Sequence, residues 1–185
     1  YRASADLARE RGAFPLFDPA RFGMSGHAAS LPKDLQAQIS AHGIRNGLLT
    51  SIAPTGTISL FAGNVSSGIE PIFSLGYDRR ILQPDGSSRS ERVTDYALDV
   101  WRELHGDAAP PEAFVTAETL EPAAHLRMQA AVQRHVDSSI SKTINVPADL
   151  PFDDFKAVYE QAYDMGLKGC TTFRPNDITG SVLPT

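Results

Sequence analysis

The stretch from Leu48 to Phe61, LLTSIAPTGTISLF, holds the residues best placed to do chemistry. Its order reads as an apolar strand, a tight turn and the first turn of a helix. Pro54 presets its own φ and has no N–H, and Gly56 lets a ligand approach the backbone closely. Thr55, Thr57 and Ser59 put hydroxyls beside the unpaired N–H groups of a first helical turn. Such groups, at the positive end of the helix dipole, suit a phosphate. No Lys or Arg lies between Leu48 and Phe61, so the cradle Pro54-Thr55-Gly56-Thr57-Ile58-Ser59 would work through neutral donors. A second reading stays open: Thr55 or Thr57 is a helix N-cap and Gly56 merely serves the turn. The segment lacks the Gly-Lys-Ser/Thr of a Walker loop and the GxGxxG of a dinucleotide site.

Other candidates are weaker. Asn64–Pro71 (NVSSGIEP) is polar and irregular; its Glu70 is either a general base or a carboxylate that ties a loop to a backbone amide. In Ser139–Val146 (SISKTINV), Ile140, Ile144 and Val146 alternate with Ser139, Ser141, Thr143 and Asn145. Lys142 is out of step, on the apolar side, where it would snorkel at a sheet edge or meet a buried anion. The small polar face would line a ligand cavity or simply meet water. Cys170 in a strand reads as inert. The five histidines show no metal-ligand spacing and read as surface or packing residues. Asp153 and Asp154 suit a helix start through the dipole.

These segments need elements to hold them. Helices are expected over Ala3–Arg11 with Gly12 as stop, Pro32–Ala41 before Gly43, Thr57–Ala62, Thr94–His105, Ala123–Asp137, and around Phe155–Ala162 before Gly166. Leu48–Ile52 reads as a buried strand and Lys168–Phe173 as a last strand. Gly23–Ser30 reads as a loop, and Gly76–Arg92 as a solvated loop or hairpin turning at Pro84-Asp-Gly86. The tail, residues 174–185, is turn-rich. The result is a mixed α/β chain with too few strands for a full sheet.

Composition bounds the function. The chain has 185 residues, 42% hydrophobic and 21% charged, which is globular usage. With 17 Lys+Arg against 22 Asp+Glu, a long nucleic acid or an anionic membrane is not the expected partner. One cysteine excludes an internal disulfide framework and a Cys-rich zinc site. No apolar run approaches the roughly 20 residues that span a bilayer. The chain opens on Tyr1, in helical sequence, and reads as a piece whose natural start lies upstream.

Arg45-Asn46, LLTSIAPTGTISLFAGNVSSGIEPIF, HVDSSISKTINVP and GLKGCTTFRPN occur in that order. Together they resemble the C-terminal part of the catalytic barrel of ribonucleotide reductases, above all the adenosylcobalamin-dependent class II enzymes. The resemblance implies an α/β fold, the C-terminal portion of a ten-stranded α/β barrel that is incomplete in residues 1–185. It implies that Pro54, Thr55, Gly56, Thr57, Ile58 and Ser59 hold substrate phosphates, with Asn64–Pro71 an architectural neighbour. Class I enzymes carry adjacent tyrosines near this end to relay a radical; Cys170-Thr171-Thr172-Phe173 stands there instead, and threonine cannot serve that relay.

The resemblance further implies a cytoplasmic parent enzyme that reduces ribonucleotides to deoxyribonucleotides by radical chemistry with adenosylcobalamin. Its partners would be the ribonucleotide, the upstream remainder of the barrel and, in a homodimer, a second parent chain. The thiyl-radical cysteine and the reducing cysteine pair would lie upstream, so this piece alone is expected to be inactive and not to bind the cobalamin. No residue here is expected to be catalytic or to bind metal. The alternatives are a non-catalytic nucleotide- or phosphate-binding module and a purely structural piece of an oligomer.

Overall fold

A computed structural model describes residues 1–176, so most of the tail expected over 174–185 lies outside the described residues. The chain divides into two compact units, one formed by 1–52 and 131–140, the other by 53–130 and 141 onward.

The first unit is helical. Helix α1 (Arg2–Arg11) ends at Gly12, whose N–H reaches the Ala8 carbonyl at 2.8 Å. Two short helices follow it, α2 (Pro19–Gly23) and, within the expected loop Gly23–Ser30, α3 (Gly26–Ser30). The Asp18 carboxylate caps Ala20 and Arg21, Pro19 presets the first turn, and the Ser25 hydroxyl caps Ala28. Small residues suggested a loop, but their caps nucleate single turns. Helix α4 (Lys33–His42) buries Leu35 and Ile39 against Ala5 and Ile44, with Phe14, Phe17 and Phe22 around them.

Gly43 closes α4 at φ 79°, and a Cβ there would lie 2.5 Å from the Ala13 Cβ. Gly12 has a similar φ of 80° and open space. Gly12→Ala should therefore cost about 1–3 kcal/mol from backbone strain alone. Gly43→Ala should cost clearly more, and urea unfolding of the two variants measures the difference.

The expected buried strand at Leu48–Ile52 does not form. Only Ile52 bridges, parallel to Ile140, and Leu48 is 63% exposed. The segment is extended, but a carboxylate rather than a strand takes two of its amides: Asp137 accepts from Leu49 N at 2.8 Å and Thr50 N at 2.7 Å.

In the second unit, α5 (Gly56–Phe61) is followed by an antiparallel hairpin, β1 (Gly76–Leu82) and β2 (Ser88–Thr94), which turns through Gly86. Helix α6 (Tyr96–His105) is capped by Asp95 and ends at Gly106. Helix α7 (Pro122–Gln133) stops four residues before the expected end. It buries His125, Leu126, Gln129 and Gln133, three of them polar, and leaves Met128 exposed. Polar partners set that face: Gln129 Nε2 donates to the Gly169 carbonyl at 2.7 Å.

Strand β3 (Thr143–Asn145), helix α8 (Phe152–Asp164) and strand β4 (Thr171–Phe173) make a parallel β-α-β unit. Ile144, Val146, Val158, Ala162 and Leu126 form its core. The alternation read from Ser139–Val146 holds, with Ile140, Lys142, Ile144 and Val146 buried. Among the described residues the sheets are two pairs of strands, which fits an incomplete barrel.

Candidate functional site

Helix α5 begins where the sequence places the phosphate cradle. Thr55 precedes it in the left-handed region, φ 49° and ψ 25°. A β-branched residue adopts that conformation only at a cost of about 1–3 kcal/mol, and such strain gathers at functional sites. Thr55 does not cap the helix with its side chain. Its Oγ1 instead accepts from the Gly68 N–H at 2.9 Å. Thr57 lies inside the helix, so neither threonine fills the capping role.

The Ser59 amide is taken by the Thr55 carbonyl at 2.8 Å. The amides of Gly56, Thr57 and Ile58 meet no acceptor among the described residues. Pro54, Gly56, Thr57 and Ile58 are exposed, Ile58 to 65%. The Ser59 hydroxyl is committed, donating to the Val65 carbonyl. Of the three hydroxyls read from the sequence, those of Thr55 and Thr57 donate to no acceptor among the described residues.

Ser59 also borders a cavity of about 380 Å³ that Asn64, Tyr77, Thr143, Asn145 and Thr172 help to line. The small polar face of β3 therefore lines a cavity. The loop 64–70 is pinned on both sides. Asn64, at φ 60°, donates through Nδ2 to the Thr94 carbonyl at 3.1 Å and accepts from Tyr77 Oη at 3.1 Å.

At the other end Glu70 acts as the tie rather than as a free base. Its Oε1 accepts from the Thr143 N–H at 2.5 Å and its Oε2 from Lys142 Nζ at 2.5 Å. Lys142 meets an anion: its own side chain is 1% exposed, while that of Glu70 keeps 24% exposure. It also donates to the Thr143 carbonyl at 2.8 Å and to His125 Nδ1 at 2.9 Å. Three donors thus meet three acceptors.

His125 is buried, and no partner for its Nε2 is present among the described residues. Burial, and then the Lys142 ammonium, push its pKa below the usual histidine value. The ring is therefore neutral and Nδ1 serves as the acceptor. The sequence reading treated His125 as packing and missed this contact. Its only trace was Lys142 out of step in an otherwise apolar row. Cys170 is half-buried, and burial raises its thiol pKa, which leaves it protonated and inert.

Comparisons with known proteins complete the description. The family model for the ribonucleotide reductase barrel domain matches residues 1–173. A vitamin B12-dependent ribonucleoside-diphosphate reductase of Mycobacterium tuberculosis is 39% identical over 99% of this chain and 26% of its own length. One from Thermoplasma acidophilum is 33% identical over 99% of this chain and 24% of its own length. The chain thus spans about a quarter of these relatives. The class Id ribonucleotide reductase alpha subunit of Actinobacillus ureae shares the fold, with a TM-score of 0.56 and 19% identity over 93% of this chain and 31% of that one. A barrel-domain match over residues 1–173, with relatives 39% and 33% identical along 99% of the chain, leads to one conclusion: this chain belongs to the ribonucleotide reductase barrel-domain family.

Proposed function

We propose that this chain is the C-terminal part of the barrel of a ribonucleotide reductase, where it supplies the substrate phosphate site. Pro54, Thr55, Gly56, Thr57, Ile58 and Ser59 form that site. The observation that carries this reading is the open row of Gly56, Thr57 and Ile58 amides at the start of α5. Backbone N–H groups that share the positive end of a short helix can ligate phosphate oxygens without a cation. The adjoining cavity, lined by both apolar and polar residues, supports a nucleoside beside the phosphates, because Ser59 belongs to both. Diphosphate is the favoured form, since two relatives of high identity are named for it.

The parent enzyme on this reading is a cytoplasmic, adenosylcobalamin-dependent reductase, working as a homodimer. When bound, that cofactor supplies the radical that starts reduction. The donor set on β3 and β4, Thr143, Asn145, Thr171 and Thr172, suits a sugar and phosphates rather than a corrin. No residue of this chain is therefore assigned to hold the cofactor. The chain's own residues bind and orient the nucleotide and shield it from water; bond-breaking belongs to the remainder of the parent.

The test is titration of the chain with a ribonucleoside diphosphate, followed through the amide resonances of Gly56, Thr57 and Ile58. A Cβ at Gly56 meets nothing within 4 Å, so Gly56→Val is compatible with the fold but crowds the cradle. Binding should weaken by about tenfold or more, the worth of one charge-assisted hydrogen bond. Equal affinity in both proteins would refute the cradle.

A further inference from the structure

A buried ammonium needs a reason. Lys142 sits on the apolar side of β3, is almost wholly removed from water, and spends every donor on protein atoms. An apolar residue would fill the same place with less desolvation cost. What the lysine provides is a fixed point for a carboxylate from another segment. Glu70 closes the loop that starts at Asn64, and it is held twice, by Lys142 Nζ and by the Thr143 amide.

The loop it closes is internally tied. The Glu70 N–H donates to the Ser67 carbonyl at 2.9 Å, and the Ser66 hydroxyl donates to the Glu70 carbonyl. Gly68, at φ 58°, aims its N–H at Thr55 Oγ1. Val65 receives the Ser59 hydroxyl, and the Asn64 N–H reaches the Ser59 carbonyl at 2.9 Å. The loop therefore grips the cradle at both ends, at Thr55 and at Ser59. The Thr55 grip falls on the residue whose backbone is strained. A strained conformation persists only where its surroundings overdetermine it.

We propose that Glu70 and Lys142 are positioning residues for the phosphate cradle: their buried ion pair anchors loop 64–70 to β3, and the loop, through Gly68 and Val65, holds Thr55 and Ser59 in the geometry that leaves the Gly56–Ile58 amides open. This rests on the phosphate reading of residues 54–59. Neither residue touches the phosphate. They act through the three hydrogen bonds between the loop and the cradle, so losing the pair should loosen the loop locally before it unfolds the unit.

Glu70→Gln tests this in the full chain, because it keeps the side chain's shape and an acceptor for Thr143 while discharging the pair. Pyrophosphate is the probe, titrated against the amide shifts of Gly56, Thr57 and Ile58 under conditions where both proteins are folded by circular dichroism. Hydrogen exchange at the Gly68 amide reads the loop, and exchange in the β1–β2 hairpin serves as the internal control. The expected result is affinity weaker by about tenfold and Gly68 exchange faster by a similar factor, with the hairpin amides unchanged.

If Glu70→Gln fails to fold, the double variant Glu70→Gln with Lys142→Met removes both charges and is read in the same way. Faster Gly68 exchange with unaltered pyrophosphate affinity would overturn the positioning role. So would unaltered exchange. If the unsubstituted chain does not bind pyrophosphate at all, the phosphate reading fails and the positioning role with it. Gly68 exchange still reports separately whether the ion pair holds the loop.

Discussion

Glu70→Ala is expected to destabilise the chain by roughly 3–5 kcal/mol, the range for removing one partner of a buried ion pair. The size follows from which charge is left behind. Lys142 is 1% exposed at its side chain and Glu70 24%. Losing the carboxylate strands an ammonium that water cannot reach, and it also leaves the Thr143 amide without its acceptor. Losing the ammonium leaves a carboxylate that is partly solvated and still bonded to Thr143. Lys142→Met should therefore cost less, about 1–3 kcal/mol for the acceptors it abandons.

Combining Lys142→Met with Glu70→Ala should cost less than the sum of the two, because the stranded charge is gone. A urea-unfolding double-mutant cycle measures this. Strict additivity, or a cost below about 1 kcal/mol for Glu70→Ala, would mean that solvent already reaches Lys142.

Asp137→Ala is the second large effect, expected at about 3 kcal/mol. The carboxylate collects the Tyr1 hydroxyl at 2.5 Å, the Leu49 and Thr50 amides, and the Thr50 hydroxyl at 3.0 Å. Hydrogen bonds to a charged acceptor are each worth about 1.5–3 kcal/mol, and the partly exposed Leu49 and Thr50 recover some of that from water.

The same cluster sets two limits in pH. Burial pushes the Asp137 pKa up, but the Tyr1 hydroxyl and the Thr50 and Leu49 amides outweigh it and hold the carboxyl below its ordinary value. Its contribution is therefore complete above the unfolded carboxyl pKa and is lost as pH falls through the lower folded value. Tyr1 is pushed up to about 12, by burial first and then by its bond to Asp137. Its contribution is complete below the ordinary tyrosine value near 10 and is lost as pH rises toward about 12. Tyr1→Phe should abolish the alkaline loss and weaken the acid one, because the Tyr1 hydroxyl is the first of the groups that hold the Asp137 carboxyl down. Stability measured against pH for both proteins checks this, and an alkaline limb unchanged in Tyr1→Phe would refute the assignment.

Local chemistry alone decided much of this protein. Gly12, Gly43, Gly106 and Gly166 end helices or the turn just after one because each takes a positive φ that other residues resist. The alternation over Ser139–Val146 placed Ile144 and Val146 inward and Thr143 and Asn145 on a cavity, since side chains on a strand repeat every two residues. The ordered motifs from Arg45 to Phe173 were enough to indicate the family, because each is a short local pattern.

Tertiary structure decided the rest. Asp137 acts on Leu49 and Thr50 from 88 and 87 residues away, and Glu70 acts on Lys142 and Thr143 across 72 and 73. The sequence offers a tie as one reading of Glu70 but does not name its partners, and nothing adjacent in the chain marks Asp137. An apolar run such as Leu48–Ile52 has the composition of a buried strand, but a strand exists only where a neighbour offers a matching ladder. Here Asp137 takes those amides instead, and Leu48 stays in water. The buried face of α7 was likewise chosen by partners for His125 and Gln129 rather than by apolar spacing. Propensity and periodicity are written in neighbouring residues; the satisfaction of buried polar groups is settled only when distant segments meet.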